Sequence, residues 1–259
     1  MSVTGFLTDS TLCIGCKACE VACKEWNQIS DDGLMWSGHS YDNTLAFGAE
    51  TWRHVKFVES TPIPGLGGNS PESVAWSFSS DVCKHCEKAG CLEACPTGAI
   101  VRTEFGGVFI QPDICNGCAY CVVTCPFGVV DRNERDGRAF KCTFCYDRQH
   151  AGLEPACAKA CPTKSIQFGE LESLRRAADQ RLNELEARGV QDAHIYDPRD
   201  TSIEGTHSIF IVRADPVAYN LPPAPEVPTV YLRRGWTAAA VAAGMLLAGT
   251  VLAFLGGQQ

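Results

Sequence analysis

The chain has 259 residues, 45% hydrophobic and 20% charged, which is the composition of a folded protein and excludes a disordered tail. Its formal net charge of −8 excludes the basic face that a nucleic-acid partner requires. Sixteen cysteines are far more than packing needs, and they fall into four quartets with none left over.

The chain opens on MSVTGFLTDSTL, which has neither a basic n-region nor an apolar h-region, so no export signal is expected there. The first quartet follows at once. In CIGCKACEVAC, Cys13, Cys16, Cys19 and Cys23 have the spacing C-x2-C-x2-C-x3-C, the run that bacterial ferredoxins use for a cubane [4Fe-4S] cluster. A tight loop wraps three thiolates around three corners of one cluster. The fourth cysteine, three residues on at the start of a helix, points away and ligates a different cluster. A disulfide framework expects a small secreted domain with spread cysteines, and neighbours two residues apart cannot all pair without strain. Zinc is the other structural alternative, since C-x2-C pairs are common knuckles. Two such pairs separated by a longer stretch make a zinc site, whereas a third cysteine at x2 and a fourth at x3 before proline have no such use.

Residues 24–82 read as an insertion. TWRHVKFVES is strand-like in its β-branched and aromatic content, and TPIPGLGGNSPES is a loop of turn formers. Its glycines lack the Lys-Ser/Thr that a phosphate-cradling loop requires. The second quartet, Cys83, Cys86, Cys91 and Cys95, lengthens one gap but keeps the final x3 spacing. Between it and the third lies PTGAIVRTEFGGVFIQPDI, two short β runs around Gly106-Gly107, which predicts a hairpin. The third quartet, Cys115, Cys118, Cys121 and Cys125, matches the ferredoxin spacing to the residue. The fourth, Cys142, Cys145, Cys157 and Cys161, has the longest gap. Proline follows Cys95, Cys125 and Cys161, an internal repeat of the same signature, while Cys23 is followed by Lys24.

Exchange of the fourth ligand means that the quartets work in pairs. The second and third close one ferredoxin-like module over 83–125, with Cys83, Cys86, Cys91 and Cys125 on one cluster and Cys115, Cys118, Cys121 and Cys95 on the next. By elimination the first and fourth make the other module from 1–23 and 126–215. There Cys13, Cys16, Cys19 and Cys161 hold one cluster, and Cys142, Cys145, Cys157 and Cys23 hold the last. The expected content is therefore four [4Fe-4S] clusters, with iron held by all sixteen cysteines and no catalytic residue on this chain. The fold class is α+β, two ferredoxin-like dicluster modules followed by a transmembrane helix.

ELESLRRAADQRLNELEARG, 170–189, carries Leu171, Leu174, Leu182 and Leu185 at helical spacing, and Gly189 ends it. This reads as an amphipathic helix packed on the module, with partner docking the alternative. HSIFIVRAD, 207–215, is a strand. The proline-rich stretch 216–234 reads as an extended linker. Beyond it, 235–255 runs without a charge, roughly 31 Å as a helix against a hydrocarbon core of about 30 Å, and predicts a membrane span in lipid. Ala240, Gly244 and Ala248 form a small-residue face for another membrane helix. No dinucleotide fingerprint, zincin helix or nucleophile elbow is present. His39, His54, His150, His194 and His207 read as surface or core polar residues. His85, beside Lys84 in a cluster loop, reads either as an exposed loop residue or as a group tuning a potential.

The quartets, the CIGCKACEVACKEWN opening, YDNTLAFGAETW, KCTFCYDR, EPACAKACPT, the ARG, YDP and GTH stretches and the single terminal span together resemble the iron-sulfur (beta) subunit of membrane-bound respiratory formate dehydrogenase. The likeness runs over nearly the whole chain. The cysteine pattern alone is similar to that of beta subunits of other molybdopterin oxidoreductases, such as dimethyl sulfoxide or polysulfide reductases. The resemblance implies four clusters in a line. Electrons pass from a molybdenum or tungsten pterin catalytic subunit that oxidises formate to an integral-membrane cytochrome b-type subunit that reduces quinone. It also implies that this chain is no enzyme on its own. Arg233 and Arg234 precede the span and nothing basic follows, which by the positive-inside rule puts the cluster domain in the cytoplasm; the family puts it on the outer face. The side stays open between the two.

Overall fold

A computed structural model describes residues 2–33, 35, 36, 38, 42–60, 75–213 and 215–256. The loop TPIPGLGGNSPES and His39 lie outside the described residues. Strand β1 (Thr4–Asp9) leads into the first cysteine loop and α1 (Ala18–Asn27). The insertion contributes β2 (Arg53–Ser60) and β3 (Ala75–Val82), an antiparallel pair in which Arg53 faces Val82 and Val55 faces Ser80. It packs on α1, where the buried carboxylate of Glu20 accepts from the Val55 N–H and pairs with Lys17.

The second cysteine loop leads into α2 (Gly90–Glu93), then β4 (Ile100–Arg102) and β5 (Val108–Ile110), the hairpin expected around Gly106-Gly107. Gly106 has φ +86°, and a Cβ there would stand 2.2 Å from His207 Cε1, so both its left-handed backbone and the close approach require glycine. After α3 (Tyr120–Val123) comes a short hairpin of β6 (Asp131–Arg132) and β7 (Ala139–Phe140). The fourth cysteine region carries α4 (Tyr146–His150) and α5 (Ala156–Ala160), and α5 packs against α1.

The remaining elements are β8 (Ile166–Glu170), α6 (Leu171–Ala187), β9 (Ala193–Tyr196) and β10 (Ser208–Arg213). They complete a four-stranded sheet in the order β8-β1-β10-β9, in which β1 runs parallel to β10 and antiparallel to β8. Both faces of this sheet are covered, which explains why SIFIV reads as a continuous apolar run. Leu7, Ile209 and Ile211 pack with Leu171, Leu174, Ala178 and Leu185 of α6. Phe6, Phe210 and Val212, one residue out of step, join the core that holds the cysteines. The apolar stripe of α6 therefore faces a core. The Glu170 side chain caps it by accepting from the Ser173 N–H (2.9 Å), and Arg181 ties its outer side to Asp9 of β1 (2.9 Å).

Residues 216–234 are not a free linker. They form two 3-10 turns, Pro216–Tyr219 and Pro228–Tyr231, joined by an irregular strap in which Tyr219, Leu221 and Val227 are buried. The prolines forbid a ladder or a long helix but not burial of the apolar residues between them. Tyr219 donates to Ser77 Oγ (2.7 Å), and Tyr196 donates to the Pro222 carbonyl (2.7 Å). The second turn runs beside α2, where Thr229 donates to Glu93, and continues directly into α7 (Leu232–Gly256). That helix is exposed throughout its described length, and its most apolar stretch has a mean hydropathy of 2.2.

Candidate functional site

Each cysteine loop turns back on itself at the second residue of its first x2 gap, where the backbone is left-handed: Gly15 (φ +67°), His85 (φ +44°), Gly117 (φ +73°) and Phe144 (φ +63°). That conformation bends two residues of chain tightly enough for flanking sulfurs to face one centre. Glycine adopts it freely, whereas His85 and Phe144 hold it only because packing overrules its cost. These two rings pack at a tilt of 31°, with centroids 4.4 Å apart, between the second and fourth loops. His85 is buried, Nδ1 accepts from the Val108 N–H (3.0 Å), and burial with the nearby Lys141 charge holds its pKa well below the ordinary histidine value. The exposed-loop reading of His85 is thereby overturned.

The sulfurs of different loops meet in four cages. Cys13, Cys16 and Cys19 line a small cavity with Cys161 (cage 1). Cys83, Cys86 and Cys91 line another with Cys125 (cage 2), and Cys115, Cys118 and Cys121 line a third with Cys95 (cage 3). Cys23 interacts electrostatically with Cys142, Cys157 and Cys145, which form the fully buried cage 4. Sulfurs of successive cages lie near enough to interact electrostatically and so link the cages in a row: Cys19 with Cys157, Cys142 with Cys83, and Cys91 with Cys121. The spatial order is thus cage 1, cage 4, cage 2, cage 3. Only the two end cages reach the surface through an exposed cysteine, Cys16 in cage 1 and Cys118 in cage 3.

The donor set fits a polynuclear cluster better than a bridge or a single ion. All sixteen thiols are free. Among the described residues no three His, Cys, Asp or Glu side chains converge as a single metal ion requires; the cysteines surround open volume instead. Burial pushes Cys19 and Cys91 up to about 12, and Cys121 and Cys145 up to about 11, so these thiols are neutral until metal displaces their protons. Donors wait at the sulfurs: the Ala139 N–H at Cys115 Sγ (3.4 Å), the Phe144 N–H at Cys142 Sγ (3.4 Å) and the Ser80 hydroxyl 3.1 Å from Cys19 Sγ. Hydrogen bonds of this kind orient a ligand and stabilise added negative charge.

Three buried cations stand among the cages. Lys84 is neutralised by Asp81. Arg53 and Lys141 have no carboxylate partner among the described residues. The guanidinium of Arg53 bonds to Ser80 and lies over the Phe6 ring (5.0 Å), with Nε and Nη2 unpaired. The ammonium of Lys141 bonds to the carbonyls of Val108 and Cys142 and to the side chain of Cys83. A buried cation of this kind needs an anion, and a thiolate-ligated cluster supplies one. The sequence carries no local signal for Arg53 or Ser80, which lie in the insertion. Lys141 has a faint one, its place immediately before Cys142.

Known proteins resemble this chain in the same regions. Residues 74–171 and residues 12–99 each match the profile of a 4Fe-4S dicluster domain. The match over 74–171 holds the second, third and fourth quartets and that over 12–99 the first and second, while the sulfurs that meet in space join the first quartet to the fourth and the second to the third. The iron-sulfur subunit of nitrate-inducible formate dehydrogenase from Escherichia coli (strain K12) is 40% identical over 96% of this chain and 84% of its own length. The formate dehydrogenase-O iron-sulfur subunit of the same organism is 42% identical over 85% of this chain and 71% of its own. The B subunit of anaerobic dimethyl sulfoxide reductase, also from that organism, is 33% identical over 66% of this chain and 76% of its own.

Proposed function

The chain belongs to the family of formate dehydrogenase iron-sulfur subunits, and from that membership we propose that it conducts electrons from a formate-oxidising molybdopterin subunit to a cytochrome b-type subunit in the membrane. When bound, four [4Fe-4S] clusters supply the one-electron redox centres. The cysteines of cages 1 to 4 are their ligands in the sets given above, so every iron is held by a thiolate of this chain.

The row of cages open at its two ends carries this reading. The inner cages 4 and 2 are wrapped by Phe144, Val108, Phe127 and Val130, which exclude water from the middle of the path. Cys16 and Cys118 bring the outer cages to the surface, beside exposed Ile14 at one end and exposed Ile114, Tyr120 and Val123 at the other. Apolar surface around an exposed ligand suits docking of another redox subunit. The strap gives the path its polarity. Its final turn bonds to Glu93, two residues before Cys95 of cage 3, and then becomes α7. Cage 3 is therefore the membrane end, and cage 1 faces the catalytic subunit.

The complex purified through this chain tests the reading. Formate reduces an artificial dye and a quinone analogue in the wild-type complex. Cys118→Ser leaves dye reduction at the catalytic subunit and removes most quinone reduction. A complex without formate-dependent dye reduction, or a variant with undiminished quinone reduction, contradicts it.

A further inference from the structure

Arg53 is 1% exposed and Lys141 2%, and a cation so placed is normally paired. Neither has a carboxylate partner among the described residues, and Arg53 keeps two unpaired donors in the interior. Their positions are the second, independent observation. Arg53 acts electrostatically on Cys19 of cage 1 and on Cys157, Cys142 and Cys23 of cage 4. Lys141 acts on Cys83 and Cys91 of cage 2 and on Cys142 of cage 4. Each cation thus stands at a junction between successive cages, whereas the charges that chiefly act on Cys121 of cage 3 are those of its own Cys115, Cys118 and Cys95. A geometric link runs from Arg53 Nη1 to Ser80 Oγ (2.9 Å) and on to Cys19 Sγ (3.1 Å), so the guanidinium fixes the hydroxyl as a donor to that sulfur.

We propose that Arg53 and Lys141 are the fixed counter-charges of the electron path, each raising the reduction potentials of the two clusters that flank it. The proposal rests on the cages holding clusters. Each reduction step takes one electron from the donor, dithionite in a titration, and adds one negative charge at a cage. A permanent cation close by stabilises that charge with no proton moving, in a dry interior where the interaction is weakly screened. Cage 4, flanked by both cations, receives the largest effect, and cage 3, flanked by neither, the smallest. Arg53 and Lys141 are positioning residues acting through the sulfurs.

The test is an anaerobic redox titration of the purified complex followed by electron paramagnetic resonance, with iron content measured on each sample. Arg53→Gln is expected to lower two midpoints most and Lys141→Met two, with one midpoint common to both variants and the fourth moved least by either. The expected shift is about tenfold in the reduction equilibrium, which is about 59 mV for one electron. Arg53→Lys and Lys141→Arg, which keep the charge, restore most of it. Fully loaded variants with unmoved midpoints overturn the proposal, as does an equal shift of all four. Should the charge-removing variants lose iron, Ser80→Ala decides. It is expected to lower the midpoint of cage 1 alone, and an unchanged midpoint overturns the proposal. Fewer than four clusters in the wild-type complex is a different result, the failure of the cluster reading itself, and is seen before any variant is made.

Discussion

Single residues divide into those whose chemistry announces itself and those that only the fold places. The cysteines belong to the first kind, because a thiol every third residue has few structural uses. Arg53 belongs to the second: thirty residues separate it from Cys23 and as many from Cys83, and within TWRHVKFVES it reads as an ordinary strand residue. Pairing of β2 with β3 turns it inward and brings Ser80 to Cys19. Asp42 is similar. It accepts from His54 Nε2 (2.7 Å) and Lys17 Nζ (3.1 Å). Burial works to raise its pKa, but the hydrogen bond and charge of His54, with Lys17, outweigh that and hold the carboxyl below the usual aspartate value. Because the folded pKa lies below the unfolded one, the stability it contributes is complete above about pH 3.9 and is lost as pH falls through the depressed value. Asp42→Asn is expected to cost about 1–3 kcal/mol at pH 7, with the difference from wild type shrinking as pH falls through the depressed value in melts at descending pH.

Among the elements, α6 is legible because leucines at helical spacing must face something apolar, and the hairpin at Gly106-Gly107 is legible because turn residues divide two β runs. What covers α6 is not legible, since the sheet beneath it is assembled from strands at opposite ends of the chain, β1 and β10. The strap departs from its expected form for a physical reason: five prolines between 216 and 230 rule out regular structure, but irregular backbone is not the same thing as a free tether. Tyr219, Leu221 and Val227 show that a segment without a ladder still contributes apolar burial. Leu174 is buried between α6 and Leu7, Ile209 and Ile211, so Leu174→Ala is expected to cost about 2–5 kcal/mol. Thermal unfolding of the loaded protein reads that loss, while its visible absorption at low temperature stays that of wild type, because the cages lie on the other face of the sheet.

At the scale of the whole molecule, the internal repeat of cysteine loops, each lending its last cysteine to a different loop's cage, joins the first and last loops around the middle module and sets the four cages in a row. The terminal helix follows from composition alone, and its 25 residues give a length of about 37 Å, enough to cross a bilayer. Truncation after Tyr231 is expected to release the chain into the soluble fraction with its iron retained. The full chain resists alkaline extraction from membranes, and a truncated chain that still sediments with lipid would oppose an anchoring role for α7.

The central claim is that four cages of four cysteines each hold a cubane, and its most direct measurement is iron and acid-labile sulfide per chain in the anaerobically purified complex, joined to a reductive paramagnetic resonance titration. About sixteen irons per chain and four reducible centres are expected. Far fewer irons with all sixteen cysteines intact, or no reducible paramagnetic centre, contradicts the claim.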